Sequence, residues 1–94
     1  MDDNIQKAEI TVQGRVQGVC FRAFVKQNAE KLDLKGYAKN IDSDKVEIIA
    51  EGNKIALDQL IEHCRKGPPL ARVEKINFNF EAASNKFIDF DIRY

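Results

Sequence analysis

Histidine, cysteine and tryptophan are scarce in this 94-residue chain, which has one histidine, two cysteines and no tryptophan. A zinc site or a disulfide scaffold needs several closely spaced ligands or pairs, and Cys20 and Cys64 lie too far apart in the chain to predict either. We therefore expect no metal and no cofactor, with both thiols reduced, as is typical of a cytoplasmic protein. No apolar run approaches the length of a transmembrane helix, and the polar start of the chain does not resemble a signal peptide.

An excess of charge of either sign is also missing, because 15 basic and 15 acidic residues give a formal net charge of zero. Proteins that bind nucleic acids or membrane surfaces nonspecifically need a basic excess, so we expect neither kind of partner. Any anion-binding site in this chain must therefore be local. With 44% hydrophobic residues, the chain is long enough for one core but not for two. We expect a single domain over residues 1–94, acting as a monomer.

The spacing of apolar residues predicts the element order βαββαβ, followed by a short fifth strand at the C-terminus. We expect strands at 7–13, 36–41 and 45–51, a fourth around 76–80 and a fifth within 88–94. Helices are expected at 22–34, ended by Gly36, and at 54–66. For the second helix, Asn53 is a suitable N-cap and Gly67-Pro68-Pro69 a strong stop signal.

This order predicts an α+β fold, the ferredoxin-like sandwich, in which two helices cover one face of an antiparallel sheet. Strands one and two then run in the same direction, because a right-handed crossover through the first helix joins them. The hairpin makes strand three antiparallel to strand two. The loop after strand one, the end of strand two and the following hairpin should share one end of the sheet. Asn40, late in strand two, can therefore point to the same place as Arg22.

A glycine-rich segment, Gly14-Arg15-Val16-Gln17-Gly18-Val19-Cys20-Phe21-Arg22, joins the first strand to the first helix. Such a turn can aim several backbone N–H groups at one anion, which the helix N-terminus also favours. Arg22 adds a planar, charged donor that matches phosphate oxygens. The segment is neither a Walker loop nor a dinucleotide fingerprint, because its glycine spacing fits neither. A tight turn with a solvated arginine explains the residues equally well, so both interpretations stay open.

No general acid or base is evident near this segment. His63 falls beside the apolar stripe of the second helix, where we expect a surface or half-buried residue. A site without a general acid or base is suited to hydrolysis of a carboxyl–phosphate anhydride. The carboxylate leaving group of such a substrate, with a pKa of about 4, departs without a proton donor. The loop amides and Arg22 would hold the phosphoryl group, and the amide of Asn40 would accept a hydrogen bond from the attacking water.

Two segments of the chain resemble the signatures of the acylphosphatase family. The first signature, an aliphatic residue two positions before Gly-x-Val-Gln-Gly-Val-x-Phe/Met-Arg, is matched in full from Val12 to Arg22. The second is matched by Gly36-Tyr37-Ala38-Lys39-Asn40, followed by Val46 and Gly52. The resemblance covers nearly the whole chain, from Ala8 to Tyr94.

The resemblance implies an enzyme that hydrolyses small-molecule acyl phosphates to carboxylate and orthophosphate without a cofactor. Arg22 matches the family's phosphate-binding arginine, and Asn40 matches the asparagine that positions the attacking water. The backbone cradle of the family is matched by five residues: Gln17, Gly18, Val19, Cys20 and Phe21.

One residue departs from the family pattern, because Asp44 stands where the family has glycine. We expect a positive φ at this hairpin position, which aspartate tolerates less well than glycine. A non-catalytic phosphate-binding or regulatory domain of the same fold remains an alternative function. An RNA-binding module or a metal chaperone is disfavoured, because the chain has neither an aromatic RNP-like segment nor a Cys-x-x-Cys pair.

Overall fold

The computed structural model of the protein describes residues 4–94. It confirms the predicted order of elements, with the C-terminal extra strand, and the ferredoxin-like fold. The bounds of its five strands and two helices are β1 Ile5–Arg15, α1 Phe21–Lys31, β2 Lys35–Ile41, β3 Lys45–Asn53, α2 Lys54–Lys66, β4 Arg72–Ala82 and β5 Phe90–Arg93.

The five strands form one sheet in the order β4-β1-β3-β2-β5. Both β1 and β2 pair antiparallel with β3, so they run in the same direction, and Gln13 of β1 and Ile41 of β2 both lie opposite Lys45. This places the loop after β1 and the hairpin after β2 at one end of the sheet, as predicted. The helices contact each other, and α1 lies over β2 and β5 while α2 lies over β1, β3 and β4.

The predicted antiparallel pairing is confirmed for β1 to β4, whereas the extra strand β5, whose direction the sequence did not specify, pairs parallel to β2 and makes the sheet mixed. Residues 83–89 carry the chain back across the sheet before β5 begins, so β5 enters from the same end as β2. In this pairing Lys39 lies opposite Arg93. The last residues of the described chain therefore lie beside the end of β2.

The core lies between the sheet and the helices, and the predicted apolar stripes supply it. Alternate residues of the central strands are fully buried on one face, and the predicted face of α2 is buried opposite them. The helix spacing on α1 is confirmed by its buried face of Phe21, Val25 and Ala29. The buried apolar residues of the strands and of α2 are Ala8, Ile10, Val12, Ala38, Val46, Ile48, Ala50, Leu57, Leu60, Ile61, Cys64 and Phe90.

The predicted end of the first helix is wrong, whereas both predicted ends of the second are confirmed. α1 stops at Lys31, and Asp33 just beyond it takes a left-handed conformation with φ of 58°. Gly36 instead lies inside β2, where a Cβ atom would overlap the carbonyl oxygen of Ile49 on β3. In α2, Asn53 Oδ1 accepts a hydrogen bond from Ile55 N (2.8 Å), and the helix ends at Gly67 with φ of 70°.

A buried carboxylate fixes the segment that leads into β5. Glu51 on β3 is only 6% exposed, and its oxygens accept bonds from Ser84 N (2.7 Å), Ser84 Oγ (2.7 Å) and Asn85 N (3.0 Å). Burial alone would raise the pKa of Glu51, but these hydrogen bonds outweigh burial and hold the pKa below its ordinary value of 4.5. The charged form therefore stabilises the connection between β4 and β5.

Replacing Glu51 by Gln should lower the free energy of unfolding at pH 7 by about 1–3 kcal/mol, because charge-assisted bonds to a buried group are lost. Since the pKa of Glu51 is depressed in the folded state, its contribution is complete above the unfolded pKa and disappears as the pH falls through the folded pKa. Urea unfolding at pH 7 and at pH 3 measures this change. The exposed Glu74→Gln variant is the control, and an undiminished wild-type advantage at pH 3 would contradict the account.

Candidate active site

The loop between β1 and α1, the end of β2 and the end of β5 enclose a cleft of about 360 Å³. Arg22 and Asn40 both line this cleft, so the structure brings together the two residues on which the sequence prediction depended. The complete lining consists of Val16, Gly18, Cys20, Arg22, Ala23, Asn40, Ile92 and Tyr94.

The loop next to the cleft keeps backbone N–H groups that form no backbone hydrogen bonds among the described residues. Gly18 and Cys20 take left-handed conformations, with φ of 74° and 63°, and such residues within a turn form concave sets of N–H groups that suit anions. Within residues 4–94, the N–H groups of residues 17–20 donate to no backbone carbonyl. Phe21 begins α1, so its N–H has no acceptor inside the helix. The positive end of the helix borders the cleft, because the N-cap residue Cys20 and Arg22 of the first turn both line it.

The predicted cradle residues differ in what their side chains do. Gly18 and Cys20 line the cleft. Val19 and Phe21 are 6% and 1% exposed, so their side chains belong to the core and only their backbone can face an anion. Gln17 does not line the cleft with its side chain, because its Nε2 donates to carbonyl oxygens of the β2–β3 hairpin.

The carboxamide of Gln17 holds the loop against the hairpin between β2 and β3. Its Nε2 lies 3.2 Å from the oxygen of Ile41, 3.0 Å from that of Asp42 and 3.0 Å from that of Lys45. Gly14 N adds a backbone bond to the Asp44 oxygen at 2.9 Å. These contacts fix the loop relative to the end of β2, where Asn40 lies.

The guanidinium of Arg22 is held from the side of the C-terminal strand. Its Nη1 donates to the Arg93 carbonyl oxygen at 2.8 Å, and its Cζ lies 4.6 Å from the centre of the Tyr94 ring. A guanidinium has five N–H donors, so one bond to Arg93 leaves donors for an anion in the cleft. Arg22 is thus oriented without being neutralised, because among residues 4–94 it forms no ion pair with a carboxylate.

Asn40 lines the cleft and carries a buried polar atom that lacks a hydrogen-bond partner among residues 4–94. Its Oδ1 is buried, and no described residue donates a hydrogen bond to it. A buried acceptor left without a donor costs about 1–3 kcal/mol. The terminal torsion of asparagine is broad and roughly two-fold, so the amide can turn either of its polar atoms toward a molecule in the cleft. Such a group is suited to orient a ligand or a water.

The expected positive φ at Asp44 is wrong, because Asp42 is the hairpin residue with that conformation, at 53°. Asp44 instead accepts a hydrogen bond from Gln13 Nε2 at 2.9 Å and pairs with Lys45 Nζ at 3.4 Å. The bond from Gln13, with help from Lys45, holds the pKa of Asp44 below its ordinary value. The carboxylate at the family's glycine position therefore ties the hairpin to β1 rather than straining it.

Of the remaining reactive side chains, His63 and Cys64 lie outside the lining of the cleft, whereas Cys20 belongs to it. His63 is exposed on α2. Cys64 is buried, and burial raises the pKa of its thiol to about 12, whereas Cys20 is exposed and both thiols are free. No group of three or more potential metal ligands occurs among residues 4–94. In the same residues no helix is long and apolar enough to span a membrane.

Sequence reasoning missed the contribution of β5 to the site. Ile92 and Tyr94 line the cleft, and Arg93 and Tyr94 orient Arg22. The alternation in the last residues predicted a strand but not its partner. Only the parallel pairing with β2 brings the C-terminal residues to this end of the sheet, and no local signal in the sequence specifies that pairing.

Comparison with known proteins agrees with this geometry. A family model described as Acylphosphatase matches residues 8–92. The acylphosphatase of Methanococcoides burtonii is 41% identical over 91 residues, covering 97% of this chain and 95% of that protein. The acylphosphatase of Aeropyrum pernix is 40% identical over 93 residues, covering 98% and 92%. The crystal structure of acylphosphatase from Bacillus subtilis matches with a TM-score of 0.90 at 39% identity, covering 95% of this chain and 99% of that one. The chain belongs to the acylphosphatase family.

Replacing Tyr94 by Ala should weaken orthophosphate binding about two- to fivefold, because an exposed cation–π contact that orients a guanidinium contributes about 0.5–1 kcal/mol. Titration calorimetry with orthophosphate measures the change, and Tyr94→Phe, which keeps the ring, is the matched control. Equal affinities of wild type and Tyr94→Ala for orthophosphate would show that the ring does not orient Arg22 for anion binding.

Proposed function

We propose that Arg22 and the backbone amides of residues 17–21 bind the phosphoryl group of an acyl phosphate, and that Asn40 orients the water that attacks it. The reaction is hydrolysis of the carboxyl–phosphate bond to carboxylate and orthophosphate, the reaction of the acylphosphatase family. One observation carries the assignment of roles: Asn40, whose buried Oδ1 has no donor among the described residues, lines the same cleft as Arg22.

Binding of the phosphoryl group uses the two positive features of the cleft. The N–H groups of residues 17–21 and the start of α1 supply fixed partial positive charge, which needs no reorganisation as charge moves on the phosphoryl oxygens. Arg22 supplies a full charge and a fork of donors. Because the Arg93 carbonyl oxygen already accepts a hydrogen bond from the guanidinium, less freedom of the Arg22 side chain is lost when the anion binds.

Attack on phosphorus needs a positioned water rather than a strong base. Phosphoryl transfer proceeds through a loose transition state, in which placement and charge stabilisation supply most of the catalysis. The Asn40 carboxamide can accept a hydrogen bond from water without itself taking a proton. The leaving carboxylate has a pKa of about 4 and departs unprotonated. The residues that line the cleft thus suffice for each step.

The alternative of a non-catalytic phosphate-binding domain of the same fold is less well supported. Such a domain would bind phosphate through the loop amides and Arg22, but this function assigns no role to Asn40. A buried unpaired acceptor on a residue that lines a cleft is the kind of unsatisfied group that a catalytic role explains. Relatives named as acylphosphatases over nearly their full length also favour the enzyme.

We also propose that the protein acts as a cytoplasmic monomer that binds neither nucleic acid nor membranes. The zero net charge offers no general attraction to polyanions, and the exposed free thiol of Cys20 suits a reducing compartment. A molar mass near 10.7 kDa in solution would be that of a monomer.

Acetyl phosphate should be hydrolysed by the purified protein, and the rate should be unchanged after dialysis against EDTA, because the proposed site uses only protein groups. Release of orthophosphate, corrected for the spontaneous reaction, measures the activity. Orthophosphate binding without turnover would favour the non-catalytic alternative. Activity that EDTA removes and a divalent cation restores would contradict the proposed mechanism.

Two substitutions separate binding from water placement. Arg22→Ala should raise KM and lower kcat, since it removes the principal charge in the cleft. Asn40→Ala should leave orthophosphate affinity largely intact but lower kcat on the order of a hundredfold, because only the water loses its partner. Arg72→Ala and Asn77→Ala, which replace exposed residues of β4, are the matched controls. Wild-type turnover in a folded Asn40→Ala protein would exclude the role given to Asn40.

A further inference from the structure

We propose that a groove across the first turns of α1 binds the acyl part of the substrate, and that it selects uncharged, apolar acyl groups. This inference rests on the proposed function, because it assigns the part of the substrate that extends beyond the phosphoryl group. The groove, called here the acyl groove, has a volume of about 590 Å³ and includes Cys20, Ala23, Phe24, Gln27, Pro68 and Ile92 in its lining.

The acyl groove opens directly from the cleft that holds Arg22 and Asn40. Cys20, Ala23 and Ile92 line both spaces. The space that adjoins a phosphoryl group bound in the cleft, past these three residues, is therefore the groove. Continuity with the phosphoryl site identifies the occupant of the groove as the other half of the same substrate.

The direction of the groove agrees with the geometry of the reaction. In phosphoryl transfer the attacking and leaving oxygens lie roughly in line on opposite sides of phosphorus. Asn40, which orients the attacking water, lines the cleft but not the groove, whereas Phe24, Gln27 and Pro68 line the groove but not the cleft. The groove therefore extends away from Asn40, where the leaving carboxylate and its acyl group must lie.

The chemistry of the lining favours an acyl group without charge. Most of the surface of the groove is apolar. Its two charged residues neutralise each other, because Lys26 Nζ lies 2.7 Å from Glu30 Oε2 and also donates to the Phe90 oxygen at 3.1 Å. A second carboxylate on the substrate would find no unpaired cation there, and its desolvation would oppose binding. Aromatic and branched aliphatic acyl phosphates are the class that fits.

Gln27 offers a way to test the groove without touching the catalytic groups. It is exposed and lies four residues beyond Ala23 on α1, about 6 Å along the helix axis. An acetyl group held at the entrance does not reach it, whereas a benzoyl group extends toward it. Acetyl phosphate is therefore an internal control for benzoyl phosphate in the same protein.

The experiment compares kcat/KM for benzoyl phosphate and acetyl phosphate in wild type, Gln27→Leu, Gln27→Glu and the control Gln59→Glu, which makes the same change at an exposed position of α2. Comparing each variant's ratio with that of wild type cancels the different intrinsic reactivities of the substrates. Gln27→Leu should raise the benzoyl-to-acetyl ratio about threefold, because it adds apolar contact. Gln27→Glu should lower the ratio about threefold, because a carboxylate would lie against the ring. Gln59→Glu should leave the ratio unchanged.

The outcomes distinguish the groove from the reaction itself. Opposite changes of the benzoyl-to-acetyl ratio in the two Gln27 variants, with the wild-type ratio in Gln59→Glu, support the groove. Turnover of both substrates with the wild-type ratio in every variant overturns the groove and leaves the proposed function standing. Failure of the wild-type protein to hydrolyse either substrate overturns the proposed function and the groove with it.

Discussion

The geometry of the site depends on the hydrogen bonds that the side chain of Gln17 donates to the β2–β3 hairpin. The loop after β1 and the end of β2 are remote in sequence, and the sheet alone brings them only to the same end of the fold. Gln17 Nε2 donates to three carbonyl oxygens of the β2–β3 hairpin, which fixes the anion-binding loop relative to Asn40. Because this half-buried donor has several acceptors, it also limits the loop to one conformation. Catalysis by placement requires that kind of rigidity.

A second constraint comes from the end of the chain. The parallel pairing of β5 with β2 brings the Arg93 carbonyl oxygen and the Tyr94 ring against the Arg22 guanidinium. At the opposite end of the sheet, the buried Glu51 carboxylate holds Ser84 and Asn85 and so fixes the connection that delivers β5. The stability of a region far from the cleft therefore contributes to the orientation of the residue that binds the phosphoryl group.

Much of this arrangement follows from the sequence, because its strongest signals are local. Period-two and helical spacings gave the element order, and Asn53 and Gly67 marked the ends of α2 through well-understood capping chemistry. Local signals in the sequence gave wrong predictions where one residue type could serve two structural purposes. Gly36 resembles a helix stop in the sequence, whereas in the structure the close approach of Ile49 on β3 requires a glycine there. The family glycine at Asp44 suggested a strained turn, although Asp42 takes the positive φ. The place of β5 depends on long-range pairing, which no short segment encodes.

The central claim is that Arg22, the loop amides and Asn40 act on one phosphoryl group. A crystal structure of the protein with orthophosphate tests it most directly. The account predicts the anion in the cleft, within hydrogen-bonding distance of Arg22 and of amides from residues 17–21, with a water between it and the Asn40 carboxamide. Orthophosphate bound at another surface, or an Asn40 side chain directed away from the bound anion, would contradict the account.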